Sequence, residues 1–222
     1  RGRVPLLVGG TMLYLRSLIS GISDLPEGDE EIRARIDADA ARLGWPALHA
    51  RLAGLDEAAA ARIHPNDVQR IQRALEVHAI AGEPLTALQG RTRERSRMQR
   101  QFVVAALMPV DRPRLHAALA ERFDQMMAGG LLDEVRRLRA RGDLTIEHPA
   151  VRAVGYRQLW SHLEGAYPLA TAVTRAVAAT RQLAKRQMTW LRSMPGVSMF
   201  DPHDRQAFVG IRESLKGVFY LL

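Results

Sequence analysis

Two short apolar runs, Val4–Val8 and Phe102–Leu107, constrain the fold most tightly. The first ends at Gly9-Gly10 and is followed by Leu13, Leu15, Leu18 and Ile19 at helical spacing. An apolar run, a turn of glycines and then a helix is the βα unit of a parallel sheet whose strands are buried on both faces. A lone strand has no sheet to join, so Val4–Val8 is expected to pair with strands before or after it. Between the two runs the chain is polar and helical. The expected fold class is therefore α/β. Residues 1–23 and 101–222 would form a core with a parallel sheet wrapped by helices, and residues 24–100 a mostly helical insertion.

Stop and start signals divide the rest. Asp29 can cap a helix that Gly44 ends, and Ala47–Leu52 and Asp56–Arg62 read as short alanine-rich helices. His64-Pro65-Asn66-Asp67 opens a helix that runs to Ala81 and stops at Gly82. Arg91–Arg100 reads as a charged, mobile connector. Asp111 and Pro113 open a helix ending at Gly129-Gly130, and another covers Leu131–Arg141. A further helix follows Pro149 and reaches Leu163. The longest spans Leu169–Ser193, closed by Pro195-Gly196, and Val197–Phe200 reads as a last strand.

Composition narrows the partners. The net charge is +8, carried almost wholly by arginine, with Lys185 and Lys216 the two lysines. Arginine's planar fork suits phosphate and base edges, although a GC-rich genome also enriches Arg and Ala. The absence of cysteine removes disulfides, thiolate catalysis and Cys-ligated zinc. No apolar run approaches the roughly 20 residues that span a bilayer, and no signal peptide is visible. A cytoplasmic protein without a membrane role is expected. His49, His64, His78, His116, His148, His162 and His203 show no ligand-type spacing, so core, cap or surface roles are expected for them.

Three features can carry chemistry. Gly9-Gly10-Thr11 lies where ligands meet the carboxyl ends of parallel strands, and a helix amino terminus there can face an anion. The alternative is a tight turn with Thr11 as a cap. Gln69, Arg70 and Arg73 open the Asp67–Ala81 helix. Cations beside a positive dipole end call for a negative partner, or else form a solvated face with Glu76 as counter-ion. On the long helix, Arg181, Lys185, Met188 and Arg192 fall in one stripe, and Arg175, Gln182 and Arg186 in another. No acid lies between Glu164 and Asp201, so a phosphate-tracking surface is favoured over an ordinary exposed face. Arg122 is not singled out by periodicity and can pair with Glu121 or Asp124.

Four segments in order resemble one family. Pro5-Leu-Leu-Val-Gly-Gly-Thr-Met-Leu-Tyr14, His64-Pro-Asn-Asp-Val-Gln-Arg-Ile-Gln-Arg-Ala-Leu-Glu-Val77, Val154-Gly-Tyr-Arg-Gln158 and Thr180-Arg-Gln-Leu-Ala-Lys-Arg-Gln-Met-Thr-Trp-Leu-Arg192 are similar to those of the bacterial tRNA dimethylallyltransferases. The resemblance implies an incomplete P-loop-type, nucleotide-binding-like sheet with a helical insertion that grips the anticodon stem-loop. It implies transfer of a dimethylallyl group from dimethylallyl diphosphate, assisted by Mg2+, to N6 of the adenine beside the anticodon. The adenine would be flipped from its stack. By the same resemblance Thr11 would meet the flipped nucleotide near the reacting amine, and Arg122 would stabilise the leaving diphosphate. Arg33, Gln69, Arg70, Arg73, Arg152, Gly155, Tyr156, Arg157, Arg181, Lys185, Arg186 and Arg192 would hold tRNA. The working form would be a monomer.

The sequence departs from the family in one respect. It holds no Gly-x-x-x-x-Gly-Lys-Thr loop, and the aspartate expected to take the proton from the amine maps to no residue here. The expectation is that the chain starts after that segment and is inactive alone. Two other readings stand beside a prenyltransferase: a tRNA-binding fragment without catalysis, and a P-loop kinase-like enzyme with another acceptor. The basic helix and the Gln69–Arg73 surface argue against the last.

Overall fold

A computed structural model describes residues 5–21, 23–96 and 102–219. The chain divides into two compact units, residues 1–12 with 103–222, and residues 13–102. Helix α1 (Met12–Ser20) starts at the boundary between them.

The 13–102 unit holds helices α2 (Glu30–Leu43), α3 (Trp45–Leu55), α4 (Glu57–Ala60), α5 (Val68–Ala81) and α6 (Leu85–Ser96). Local chemistry sets their ends. Asp29 caps α2 by accepting from Ile32 N–H, Asp56 caps α4 through Ala59 N–H, and Asp67 caps α5 through Arg70 N–H. Gly82 closes α5 in the left-handed region at φ 69°. Ile36, Leu48, Leu52, Ile71 and Leu75 form the core of this unit. Burying such a side chain fully stabilises by about 1.5–3 kcal/mol. The expected connector at Arg91–Arg100 differs: Arg91–Ser96 is the last part of α6, and the remaining residues of the connector lie outside the described ones.

The other unit holds β1 (Val104–Leu107), α7 (Arg112–Ala128), α8 (Leu131–Ala140), α9 (Tyr156–Leu163), α10 (Leu169–Ser193), β2 (Val197–Phe200) and α11 (Ala207–Phe219). β1 and β2 pair in parallel, in the register Val104 to Val197 and Leu107 to Phe200. The architecture is thus α/β and helix-rich, with a small parallel sheet. Helices α7 to α10 pack around Phe123, Leu131, Val135, Leu159, Trp160, Ala172 and Ala176. Alanines on the inner face of α10 let its neighbours approach closely. Helix α11, which carries no distinct start signal, packs on β2.

Two expectations are corrected here. Pro5–Gly10 is not a strand, and Leu6, Leu7 and Val8 are exposed. Among the described residues no strand pairs with it, and an extended segment without a partner cannot close a hydrogen-bond ladder. Helix α9 starts at Tyr156, not just after Pro149, because His148–Gly155 is a chain of turns ending at Gly155 with φ 95°.

Candidate nucleic-acid interface

Gln187 on α10 donates from Nε2 to the carbonyl oxygen of Gly10 at 2.8 Å. A Cβ on Gly10 would lie 2.7 Å from that nitrogen, so the missing side chain is what admits the amide. The Gly-Gly-Thr turn is thereby fastened to α10, and Thr11 stands exposed just before α1. Sequence reasoning missed Gln187. It lies inside the Thr180–Arg192 motif, but neither charge nor periodicity marks it.

Helix α10 presents Arg175, Gln182, Lys185, Arg186 and Arg192 to solvent. The stripe of Arg181, Lys185, Met188 and Arg192 splits: Lys185 and Arg192 face solvent, whereas Met188 is buried and Arg181 Nε is buried without a hydrogen-bond partner among the described residues. The polar face is therefore centred on Gln182, Lys185 and Arg186. Arg175 lies 4.4 Å over the Tyr167 ring, which stiffens the first half of this face.

A second group surrounds Phe123, whose burial places the neighbouring Arg122 on the surface of α7. Among the described residues no carboxylate pairs with Arg122, and Glu121 accepts from Gln125 instead, at 3.3 Å. Gly155 packs beside Phe123, and its N–H donates to Gln158 Oε1 at 2.8 Å. Tyr156 donates its hydroxyl to Glu134 Oε1 at 2.6 Å. That hydrogen bond, with burial and the Glu134 charge, raises the tyrosine pKa, so the hydroxyl stays protonated. Arg152 pairs with Glu147, and Arg157 is exposed.

The third group belongs to the 13–102 unit. Gln69 is exposed, and Arg70 pairs with its own cap residue Asp67 at 2.7 Å. Arg33 Nε and Arg73 Nη1 meet the carboxylate of Glu76 at 2.8 and 2.6 Å. The sequence suggested Glu76 as a counter-ion on a solvated face. Its side chain is only 1% exposed. Burial alone would raise its pKa, but hydrogen bonds from Arg73, the Asp29 N–H and Arg33, with the Arg33 charge, hold it below the usual carboxylate range.

Lys185, Arg186, Arg192, Arg122, Arg152, Gly155, Tyr156, Arg157 and Thr11 thus share one unit, and Arg33, Gln69, Arg70 and Arg73 the other. Among the described residues no three His, Asp or Glu side chains gather to hold a metal ion. The described side chains therefore offer no ready-made metal centre. His49 Nε2 lies within hydrogen-bond distance of the Ala60 and Ile63 carbonyls, and His162 Nδ1 of the Tyr167 carbonyl, so both are structural. Among the described residues no helix is long and apolar enough to cross a membrane.

The IPP transferase family model matches residues 1–194. A Bordetella petrii protein named tRNA dimethylallyltransferase is 61% identical over 196 residues, 88% of this chain and 62% of that protein. One of the same name from Paraburkholderia phytofirmans is 53% identical over 220 residues, covering 98% and 70%. The chain spans about 62% of the length of several of the curated relatives it matches. The full-length tRNA isopentenylpyrophosphate transferase of Bacillus halodurans superposes with a TM-score of 0.62 at 32% identity, covering 99% of this chain and 68% of that one. A eukaryotic dimethylallyltransferase acting on tRNA has the same fold, with a TM-score of 0.71 at 23% identity, covering 96% and 56%. Family match, identity and fold agree with the four collinear motifs, and the chain belongs to the IPP transferase family.

Proposed function

We propose that this chain supplies the tRNA-holding and acceptor-presenting part of a tRNA dimethylallyltransferase. In that reaction a bond forms between N6 of the adenine beside the anticodon and C1 of the dimethylallyl group. The C1–O bond breaks, diphosphate leaves with the electron pair, and the amine gives up one proton to a general base, the expected aspartate that maps to no residue of this sequence. The observation that carries the proposal is the Gln187 bond to Gly10, which ties the Thr11 turn to a helix free of acids and rich in exposed arginine and lysine.

Thr11 is proposed to hydrogen-bond the amine of the flipped adenine. Arg122, exposed and without a carboxylate partner among the described residues, is proposed to stabilise charge growing on the leaving diphosphate. Lys185, Arg186 and Arg192, with Arg181 at the edge of the face, would track the RNA backbone. Arg152, Gly155, Tyr156 and Arg157 would meet the anticodon loop, as would Arg33, Gln69 and Arg70 from the helical unit. Mg2+ is proposed only as a companion of the diphosphate. The working form is taken as a cytoplasmic monomer.

The test is a chimera in which these 222 residues replace the matching segment of the Bordetella petrii relative. It is incubated with unmodified tRNA and labelled dimethylallyl diphosphate. Label on the adenine beside the anticodon is the expected result. Binding without transfer, in an assay where the relative itself transfers, would sink the proposal.

A further inference from the structure

Glu76 is a buried carboxylate shared by two guanidiniums, and the two are held differently. Arg73 is closed on both arms: Nη1 donates to Glu76 Oε2 at 2.6 Å and Nη2 to the Pro26 carbonyl at 2.7 Å. Arg33 reaches Glu76 Oε1 through Nε at 2.8 Å, and its second contact, Nη2 to Oε2, is a long 3.5 Å. Its side chain is 46% exposed against 33% for Arg73. Asp29 N–H, at the cap of α2, also donates to Glu76 Oε1, at 2.8 Å. One negative and two positive charges leave a surplus of +1, and the geometry puts that surplus on Arg33. Gly28 completes the cradle: a Cβ there would lie 2.0 Å from Arg33 Nη2 and 2.7 Å from Cζ, so the guanidinium lies directly over the glycine backbone.

We infer that Glu76 is a positioning residue for RNA binding. It locks Arg73 as an internal brace between α5 and the Pro26–Asp29 segment, and with Gly28 it aims Arg33 outward as the phosphate-facing cation. This rests on the proposed RNA-binding role of the helical unit. It separates two arginines that sequence treats alike: Arg33 meets the ligand, whereas Arg73 holds the frame. A pre-aimed guanidinium loses less freedom on meeting phosphate than a free one.

The experiment uses the full chain and an unmodified anticodon stem-loop RNA, with affinity measured across a salt series and thermal unfolding measured alongside. Arg33→Gln should make the salt dependence shallower by about 0.7–0.9 in log–log slope, the loss of one phosphate contact, with little change in Tm. Arg73→Gln should leave that slope unchanged and lower Tm by about 12–20 °C, as breaking a buried pair does. Gly28→Ala changes no charge, yet should weaken binding about threefold at constant Tm by displacing Arg33. Glu76→Gln removes a negative charge, so plain electrostatics predicts tighter RNA binding, whereas loss of positioning predicts weaker binding. Tighter binding by Glu76→Gln, an Arg73→Gln slope that falls as much as that of Arg33→Gln, or a Gly28→Ala protein that binds like the parent would each overturn the inference. If Glu76→Gln does not fold, the Arg33, Arg73 and Gly28 variants still decide it. A parent chain that binds no RNA would overturn the functional reading and the phosphate-facing role of Arg33 with it. The brace is then judged by Tm alone, and equal losses for Arg33→Gln and Arg73→Gln would overturn that part.

Discussion

Gly155→Ala perturbs the group around Arg122 without changing any charge. Gly155 sits at φ 95° and ψ −59°, a conformation open to glycine and strained for any residue with a Cβ. Holding alanine there costs about 1–3 kcal/mol. The added Cβ would lie 3.4 Å from Phe123 Cε2 and 4.0 Å from Leu131 Cδ2, which is ordinary contact distance. The cost is therefore backbone strain rather than a clash, and it should lower Tm by about 4–12 °C in a unit of this size. Gly165→Ala is the control, since Gly165 has φ 83° and open space where the Cβ would go. It should lose about 1 kcal/mol from strain alone. The two variants should part in function. The strained turn at position 155 precedes Tyr156 and Arg157 and packs against the residue beside Arg122, so Gly155→Ala should lower transfer by the chimera about tenfold or more. Gly165→Ala should leave it within about twofold. Thermal melts and initial rates at saturating tRNA measure both. A Gly155→Ala protein with the parent's Tm would refute the strain estimate. Equal loss of transfer in the two variants would refute the assignment of Gly155 to the site.

Gln187→Ala should slow transfer with little loss of Tm, because it frees an exposed turn and opens no cavity; unchanged kinetics would show that the Gly10 bond is incidental. Arg122→Gln in the chimera should reduce kcat far more than it weakens tRNA binding, whereas Lys185→Gln and Arg192→Gln should weaken binding and flatten its salt dependence. Asp56 behaves as Glu76 does: burial raises its pKa, and hydrogen bonds from Thr86 and Ala59 with the Arg62 charge lower it more, for a net depression. Two carboxylates with depressed native pKa values contribute stability that is present above their unfolded values, near 4, and is lost as pH falls through the native ones. An acid titration of thermal stability should show this loss, and Glu76→Gln with Asp56→Asn should flatten it; an unflattened acid limb would show that other carboxylates dominate.

Much of the helical frame is legible in local sequence, because caps and stops act over a few residues. Asp29, Asp67 and Gly82 mark ends that the structure keeps, and α10 and β2 run between the residues that periodicity and Pro195-Gly196 select. Absence of acid along α10 likewise needs no fold to be seen. The failures have a shared cause. Val4–Val8 has the composition of a buried strand, but a strand exists only where another backbone completes its hydrogen bonds, and Leu6 to Val8 stand exposed. Arg91–Ser96 looks like a solvated connector, yet it continues α6, since charge alone does not break a helix. Gln187 and Glu76 acquire their roles from partners 177 and 43–47 residues away.

By itself the sequence determined the class of fold, the family and the basic face of α10, since these depend on composition, period and order along the chain. Tertiary structure decided which charges are available. It turned Met188 and one edge of Arg181 inward, buried Glu76 between two arginines, left Arg122 without a counter-ion among the described residues, and joined Gly10 to Gln187. The reason is physical: the reach of a charge and the cost of burying it depend on what packs around it, and that is set only when distant segments meet.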